Sequence, residues 1–293
     1  MFQRLKRKLI SNVQSWLLKE DAIHSMSLSD FDRIRFEVRP CDVLLIEGRS
    51  RVSQAIRSIT QSPWSHACLY IGRLHDIDDV VLRKAVVDYF QGEPEEQLVI
   101  EGMLGQGTII SPLRTYKSEH IRICRPRGIS RTDAQKVIGY GIKRLGKDYD
   151  VRQIVDLALF LLPWGILPVK WRTRLFENNA GSDSKTVCST LIADAFHSVG
   201  FPILPLIIEH EEKGLELIQR DTRLFTPSDF DYSPFFEIIK YPIVKSVEGG
   251  IYRDLPWNNE MISQHGSTVI HTSSKPTLSP LQKKDPHGHS NDF

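Results

Sequence analysis

The chain has 293 residues, of which 41% are hydrophobic and 25% are charged, a composition typical of one large globular domain or one domain with extensions. Its formal net charge of +2 is too small to indicate a protein that binds nucleic acid. The four cysteines are widely spaced and include no C-x-x-C pair, which argues against a zinc site built from cysteines and favours a reducing compartment.

The first 20 residues carry apolar side chains at helical spacing and basic side chains near the start, the pattern of an amphipathic helix. This helix could dock on the domain or lie on an anionic membrane surface, and the pattern fits both interpretations. Polar residues between 11 and 15 interrupt the apolar core of a signal peptide. The longest apolar run, residues 157–168, is well short of the roughly 20 residues that cross a bilayer. We therefore expect a cytoplasmic protein that could contact a membrane peripherally through residues 1–20.

From residue 38 onward, the apolar periodicity predicts an α+β domain. The predicted strands cover residues 43–46, 66–71, 98–101, 105–110 and 120–125, and the predicted helices cover 50–61, 131–145 and Cys188 to about Ser198. Short turns between the strands from 98 to 125 favour antiparallel pairing. The charged residues 73–97 predict an insertion or an irregular hairpin, and residues 201–262 predict ordered but irregular structure.

The predicted domain organisation has three parts. Residues 1–37 contain the amphipathic helix and a linker or short helix, and residues 38–262 form the folded domain. Residues 263–293 have little apolar content and are predicted to be a disordered tail.

Cys188 is the candidate nucleophile. Apolar residues after it give the segment Val187-Cys-Ser-Thr-Leu-Ile a helical apolar face, so Cys188 is predicted to lie in the first turn of a helix. The helix macrodipole and the unpaired N–H groups there favour a thiolate and could hold an oxyanion. A buried structural cysteine is the alternative.

His66 and Glu101 are the candidate partners of this thiol. His66 begins a predicted strand and shares one face of it with Cys68 and Tyr70, because side chains alternate along a strand. Glu101 ends another predicted strand, where its carboxylate could accept the second ring N–H of His66 and set its tautomer. Both residues could equally be structural, and Glu119 with His120 is an alternative pair.

Several segments, in this order along the chain, resemble the permuted papain-like amidases. They are Pro40-Cys-Asp-Val-Leu-Leu-Ile46, Ser65-His-Ala-Cys-Leu-Tyr-Ile-Gly72, Val99-Ile-Glu-Gly102, Leu145-Gly-Lys-Asp-Tyr-Asp150 and Val187-Cys-Ser-Thr-Leu-Ile192. These amidases are the YiiX/YebB-like branch of the NlpC-type cysteine hydrolases, and the resemblance covers about residues 38–200. It differs at Cys41, where the family tends to have glycine.

The resemblance implies a circularly permuted papain-like fold. In that fold a small, mostly antiparallel sheet is rolled towards a barrel, and the nucleophile helix packs against it. It also implies that Cys188 is the nucleophile, His66 the general base and Glu101 the residue that orients the base, with no metal or organic cofactor.

We therefore expect a cysteine hydrolase that cleaves an amide or related acyl bond, and acyltransferase or thioesterase activity would use the same groups. The expected substrate is a small peptide, acyl or lipid molecule. A non-catalytic binding module that keeps the fold, or a membrane-surface scaffold acting through residues 1–20, remains an alternative.

Overall fold

The computed structural model of the protein describes residues 27–103, 106–147, 187–210, 214–243, 255, 257–258, 261–265 and 268–271. The described residues up to 243 belong to one compact unit, and those from 255 belong to a second. The amphipathic segment 1–20 and the apolar run 157–168 lie outside the described residues. No helix in the described ranges has the length and the apolar character needed to cross a membrane.

A six-stranded sheet forms the centre of the first unit, with the order β4-β3-β2-β1-β5-β8. Its strands are β1 (Val43–Glu47), β2 (His66–Gly72), β3 (Leu98–Met103), β4 (Gly107–Pro112), β5 (His120–Pro126) and β8 (Phe236–Ile239). Every neighbouring pair in this sheet is antiparallel. The five strands predicted from the sequence are confirmed, as is the antiparallel pairing of β3 with β4, whereas β5 pairs with β1 and β8 rather than with β4. Strands β4 and β8 stand at the two edges of the sheet, so the described strands do not confirm the predicted rolling towards a barrel.

Six helices accompany the sheet in the described residues. They are α1 (Phe31–Glu37), α2 (Arg51–Thr60), α3 (Val80–Tyr89), α4 (Arg131–Ile142), α5 (Val187–His197) and α6 (Pro227–Tyr232). Short 3₁₀ turns lie at Leu74–Asp76, Leu113–Tyr116 and Thr222–Leu224. Helices α2, α4 and α5 confirm the predicted helical segments. Helix α1 precedes the domain start predicted at residue 38 and buries Ile34 against the sheet.

Residues 73–97, predicted to be an insertion or an irregular hairpin, contain helix α3 between β2 and β3 and are not a hairpin. The Asp79 carboxylate caps this helix by accepting the backbone N–H groups of Val81 and Leu82. Val86 is buried in the core. Val80, Val81 and Val87 are exposed although they are apolar. They obscure the apolar spacing of the buried side, so the sequence does not indicate a helix here.

Residues after α5 are more regular than the sequence predicts. Strand β8 extends the main sheet beyond β5, and β6 (Leu206–His210) pairs with β7 (Gly214–Ile218) in a separate hairpin. In the second unit, β9 (Met261–His265) pairs with β10 (Thr268–His271), in a region where the sequence predicts disorder from residue 263.

The two faces of the sheet are buried by different partners, because successive side chains of a strand point to opposite faces. On one face, Leu69 of β2 and Ile100 of β3 pack with Ile192 of α5. On the other face, Cys68 and Val99 belong to a second core cluster that includes residues of α1 and of the 3₁₀ turn at Leu113–Tyr116. The sheet is thus buried on both sides, which makes its strands rigid supports for the polar side chains described next.

Candidate active site

His66 and Glu101 form a close pair at the centre of the first unit. His66 Nε2 lies 2.6 Å from Glu101 Oε2. The Glu101 side chain is fully buried, whereas that of His66 is 18% exposed. The pairing of Leu69 with Ile100 sets the register of β2 and β3 and places Glu101 beside Cys68, on the face to which His66 also belongs. The structure therefore brings together two of the three predicted site residues.

Tyr116 completes the surroundings of this carboxylate. Its hydroxyl donates a hydrogen bond of 2.5 Å to Glu101 Oε2, and its ring centroid lies 6.2 Å from that of His66. Tyr116 comes from the 3₁₀ turn after β4. The sequence carries no signal for this contact, because the contact depends on the path of the chain after β4.

Glu101 is held in its charged form. Burial by itself raises the pKa of this carboxyl, but the hydrogen bond from His66 and the charge of its ring lower it, and the net pKa lies below the ordinary value. The other carboxylate oxygen, Oε1, is buried without a hydrogen-bond partner among the described residues. A charged, fully buried carboxylate can hold one tautomer and one orientation of the imidazole beside it.

A second thiol lies next to this pair. Cys68 Sγ is 4.0 Å from Glu101 Oε2, and Cys68 is fully buried. Burial raises the pKa of the Cys68 thiol to about 11, although the charge of the His66 ring opposes the change. Sequence analysis places Cys68 on the face of His66 without assigning it a role, and β-strand alternation is the signal that could have pointed to one.

Cys188 is the second residue of α5, as the sequence predicts, and is 4% exposed. It packs with the core residues of the α5 face. Since His66 is the first residue of β2, its ring lies at the end of the strand, where groups from both faces can approach it.

The sulfur atoms of Cys68 and Cys188 both raise the pKa of the His66 ring. Burial lowers the pKa of His66, but the charges and hydrogen bonds of Cys68 and Cys188 raise it, and the net pKa lies well above the ordinary value. The environment therefore favours the protonated form of the His66 imidazole.

Three other titratable side chains, among them the alternative candidate His120, have partners of their own. His120 Nδ1 lies 2.7 Å from Ser29 Oγ, and its ring stacks on Trp64. Asp42 pairs with Arg125 at 2.8 Å. His197 packs edge-on against Phe225.

The types of these side chains, a thiol, an imidazole and a carboxylate, are those that can form an activated nucleophile with its base and an orienting group. Residues 37–156 match the model of the permuted papain-like amidase enzymes, the YaeF/YiiX or C92 family, which confirms the resemblance recognised in the sequence. The matching segment contains His66 and Glu101 and ends before Cys188.

Among solved structures, the chain is similar to a crystal structure of metalloprotein yiiX from Escherichia coli O157:H7. The two share 15% sequence identity over 69% of this chain and 97% of that chain, with a TM-score of 0.41. The comparison with curated proteins found no match.

Proposed function

We propose that the protein is a cysteine hydrolase that cleaves an amide or a related acyl bond. Cys188 is the nucleophile, His66 is the general base and acid, and Glu101 orients the imidazole. The buried contact of 2.6 Å between His66 Nε2 and Glu101 Oε2 is the observation that carries the proposal.

The reaction follows from this contact. Because Nε2 faces Glu101, Nδ1 is the ring atom that can accept the proton of the Cys188 thiol. The thiolate attacks the carbonyl carbon, and backbone N–H groups in the first turn of α5 stabilise the oxyanion. His66 then returns the proton to the leaving amine, and water attacks the thioester to release the acid and restore the thiol.

The substrate we propose is a small peptide, an acyl compound or a lipid. The apolar run 157–168 and the basic, amphipathic residues 1–20 favour an apolar or membrane-near substrate. Both segments lie outside the described residues, so the membrane contact stays a prediction.

A probe for reactive thiols tests the three roles. The full chain is treated with a limiting amount of an alkylating probe, and the modified cysteine is located by mass spectrometry. We expect Cys188 to react first. His66→Ala should slow its alkylation by about 100-fold or more, because general-base assistance is worth at least that factor. Cys124→Ser, which changes another buried cysteine outside the site, is the matched control and should leave the rate unchanged.

Turnover of a panel of amides and thioesters separates this function from its alternatives. Cys188→Ala should abolish hydrolysis. Full activity in this variant, or alkylation of Cys188 that does not depend on His66, would refute the proposal. A binding module would keep its function in Cys188→Ala, and a membrane-surface scaffold would lose it only when residues 1–20 are deleted.

A further inference from the structure

Three side chains with metal-ligating atoms meet on the face of the sheet opposite α5. A ring nitrogen of His66, Cys68 Sγ and a carboxylate oxygen of Glu101 all lie within 4.8 Å of one another. We propose that these three residues bind a divalent transition metal ion of the zinc type. The cysteine spacing gives no sign of such a site, because its ligands come from two strands and include only one cysteine.

The distances within the cluster fit a tetrahedral ion. Bonds of the usual length to nitrogen, oxygen and sulfur place neighbouring ligand atoms roughly 3.3–3.8 Å apart in a tetrahedron. The separation of His66 Nε2 from Glu101 Oε2 is 2.6 Å, and that of Cys68 Sγ from Glu101 Oε2 is 4.0 Å. The first separation is shorter than this range and the second is longer, so an ion would replace the hydrogen bond between His66 and Glu101, and the side chains would rotate to admit it. The three residues leave a fourth position open.

The chemistry of the three ligands selects the metal. Thiolate and imidazole prefer zinc, cobalt(II) and similar ions to magnesium or calcium, which prefer oxygen ligands. One thiolate and one carboxylate balance the charge of a divalent ion, which favours its burial.

Metal binding has a consequence for the hydrolase, and this consequence rests on the proposed function. A neutral imidazole that binds the ion through Nε2 carries its proton on Nδ1, so Nδ1 cannot accept the proton of the Cys188 thiol. The loaded protein is therefore inhibited, and removal of the ion restores the base. Cys68 is the residue that distinguishes this site from an ordinary His–Glu pair.

Cobalt(II) titration of the metal-free full chain tests the site without any substrate. We expect one equivalent to bind with a sulfur-to-cobalt charge-transfer band, which reports thiolate ligation and ignores histidines elsewhere in the chain. Cys68→Ser should remove the band and weaken binding by about 100-fold or more, since even supporting groups of a metal site are worth up to that factor. Cys124→Ser is the matched control and should retain the charge-transfer band and the affinity for cobalt.

Two further variants separate this proposal from the hydrolase. His66→Ala should weaken cobalt binding as Cys68→Ser does. Cys188→Ala keeps all three ligands, so it should still show the charge-transfer band, whether or not Cys188 is a nucleophile. Absence of the band in the unmodified protein, or the same band and affinity in Cys68→Ser, would overturn the metal site and leave the proposed hydrolase unaffected.

Discussion

Cys41 adopts a backbone conformation that glycine normally occupies. Its φ of 77° lies in the left-handed region, its N–H donates to the carbonyl of Tyr70 at 2.8 Å, and its side chain is fully buried. A residue with a Cβ atom pays about 1–2 kcal/mol for this conformation. A glycine at this position would avoid that cost.

Comparison of Cys41→Gly with Cys41→Ala isolates this strain. Both variants lose the buried sulfur, but only glycine relieves the backbone. We expect Cys41→Gly to be more stable than Cys41→Ala by about 1 kcal/mol in urea unfolding. Greater stability of the alanine variant would contradict the assignment of strain to the backbone.

Tyr116 is a positioning residue for the candidate triad, because its hydroxyl donates to the carboxylate of Glu101 and acts on the imidazole through it. Tyr116→Phe removes a buried hydrogen bond to a charged group, which should reduce the free energy of unfolding by about 1.5–3 kcal/mol. It should also slow alkylation of Cys188, because the Glu101 carboxylate loses one of its anchors.

Tyr89→Phe is the control for this prediction. The Tyr89 hydroxyl donates to a neutral acceptor, the carbonyl of Leu145, at 3.0 Å. Its loss should cost about 0.5–1.5 kcal/mol and leave the reactivity of Cys188 unchanged. Equal effects of the two substitutions on Cys188 would show that Tyr116 does not position the site.

At the scale of elements, α5 shows how local pattern and packing agree. Its predicted apolar face is buried, with Ile192 and Phe196 fully inaccessible to solvent. Hairpin β6–β7 is the opposite case, because its apolar side chains are exposed, Leu217 by 54%. An apolar side chain therefore contributes more to the free energy of unfolding in α5 than in the hairpin.

Ile192→Ala tests the packing of α5 on the sheet. Removal of a fully buried isoleucine side chain should lower the free energy of unfolding by about 2–5 kcal/mol. Leu217→Ala, at an exposed position, should change it by less than about 0.5 kcal/mol. Chemical denaturation measures both, and similar values would show that α5 is not packed as described.

The predictability of the elements follows from their patterning. Strands β1, β2 and β3 are short apolar runs between turn residues, so the sequence locates them correctly. Helix α3 is hidden among charged residues, and β8 contributes only four residues, Phe-Glu-Ile-Ile, to an edge of the sheet. Helix α3 and strand β8 are stabilised by contacts with distant parts of the chain. The local spacing of apolar residues does not predict such contacts.

At the scale of the whole molecule, the global stability should decrease on acidification through the half-buried His120. Burial is the main cause that lowers the pKa of His120; Arg122 and Lys240 also lower it, and Glu47 opposes them. The unfolded chain therefore binds a proton that the folded protein resists. The free energy of unfolding therefore decreases as the pH falls from above the pKa of His120 in the unfolded chain towards its lower pKa in the folded protein.

Urea unfolding between about pH 8 and about pH 5.5 measures this contribution, since unperturbed histidine titrates in that range. His120→Gln should show a smaller loss of stability over the range than the unmodified protein. His197→Gln is a parallel variant, because burial also lowers the pKa of His197. An unchanged pH dependence in both variants would contradict the prediction.

The sequence by itself determined the strands and helices around the site, the location of Cys188 in the first turn of a helix, and the class of enzyme that these residues resemble. Those features follow from local periodicity and from short motifs. Only the tertiary structure decided that Tyr116 and Cys68 meet the carboxylate of Glu101. The reason is that these contacts depend on the register between β2 and β3 and on the path of the chain after β4, and neither is encoded in the spacing of residues along one strand.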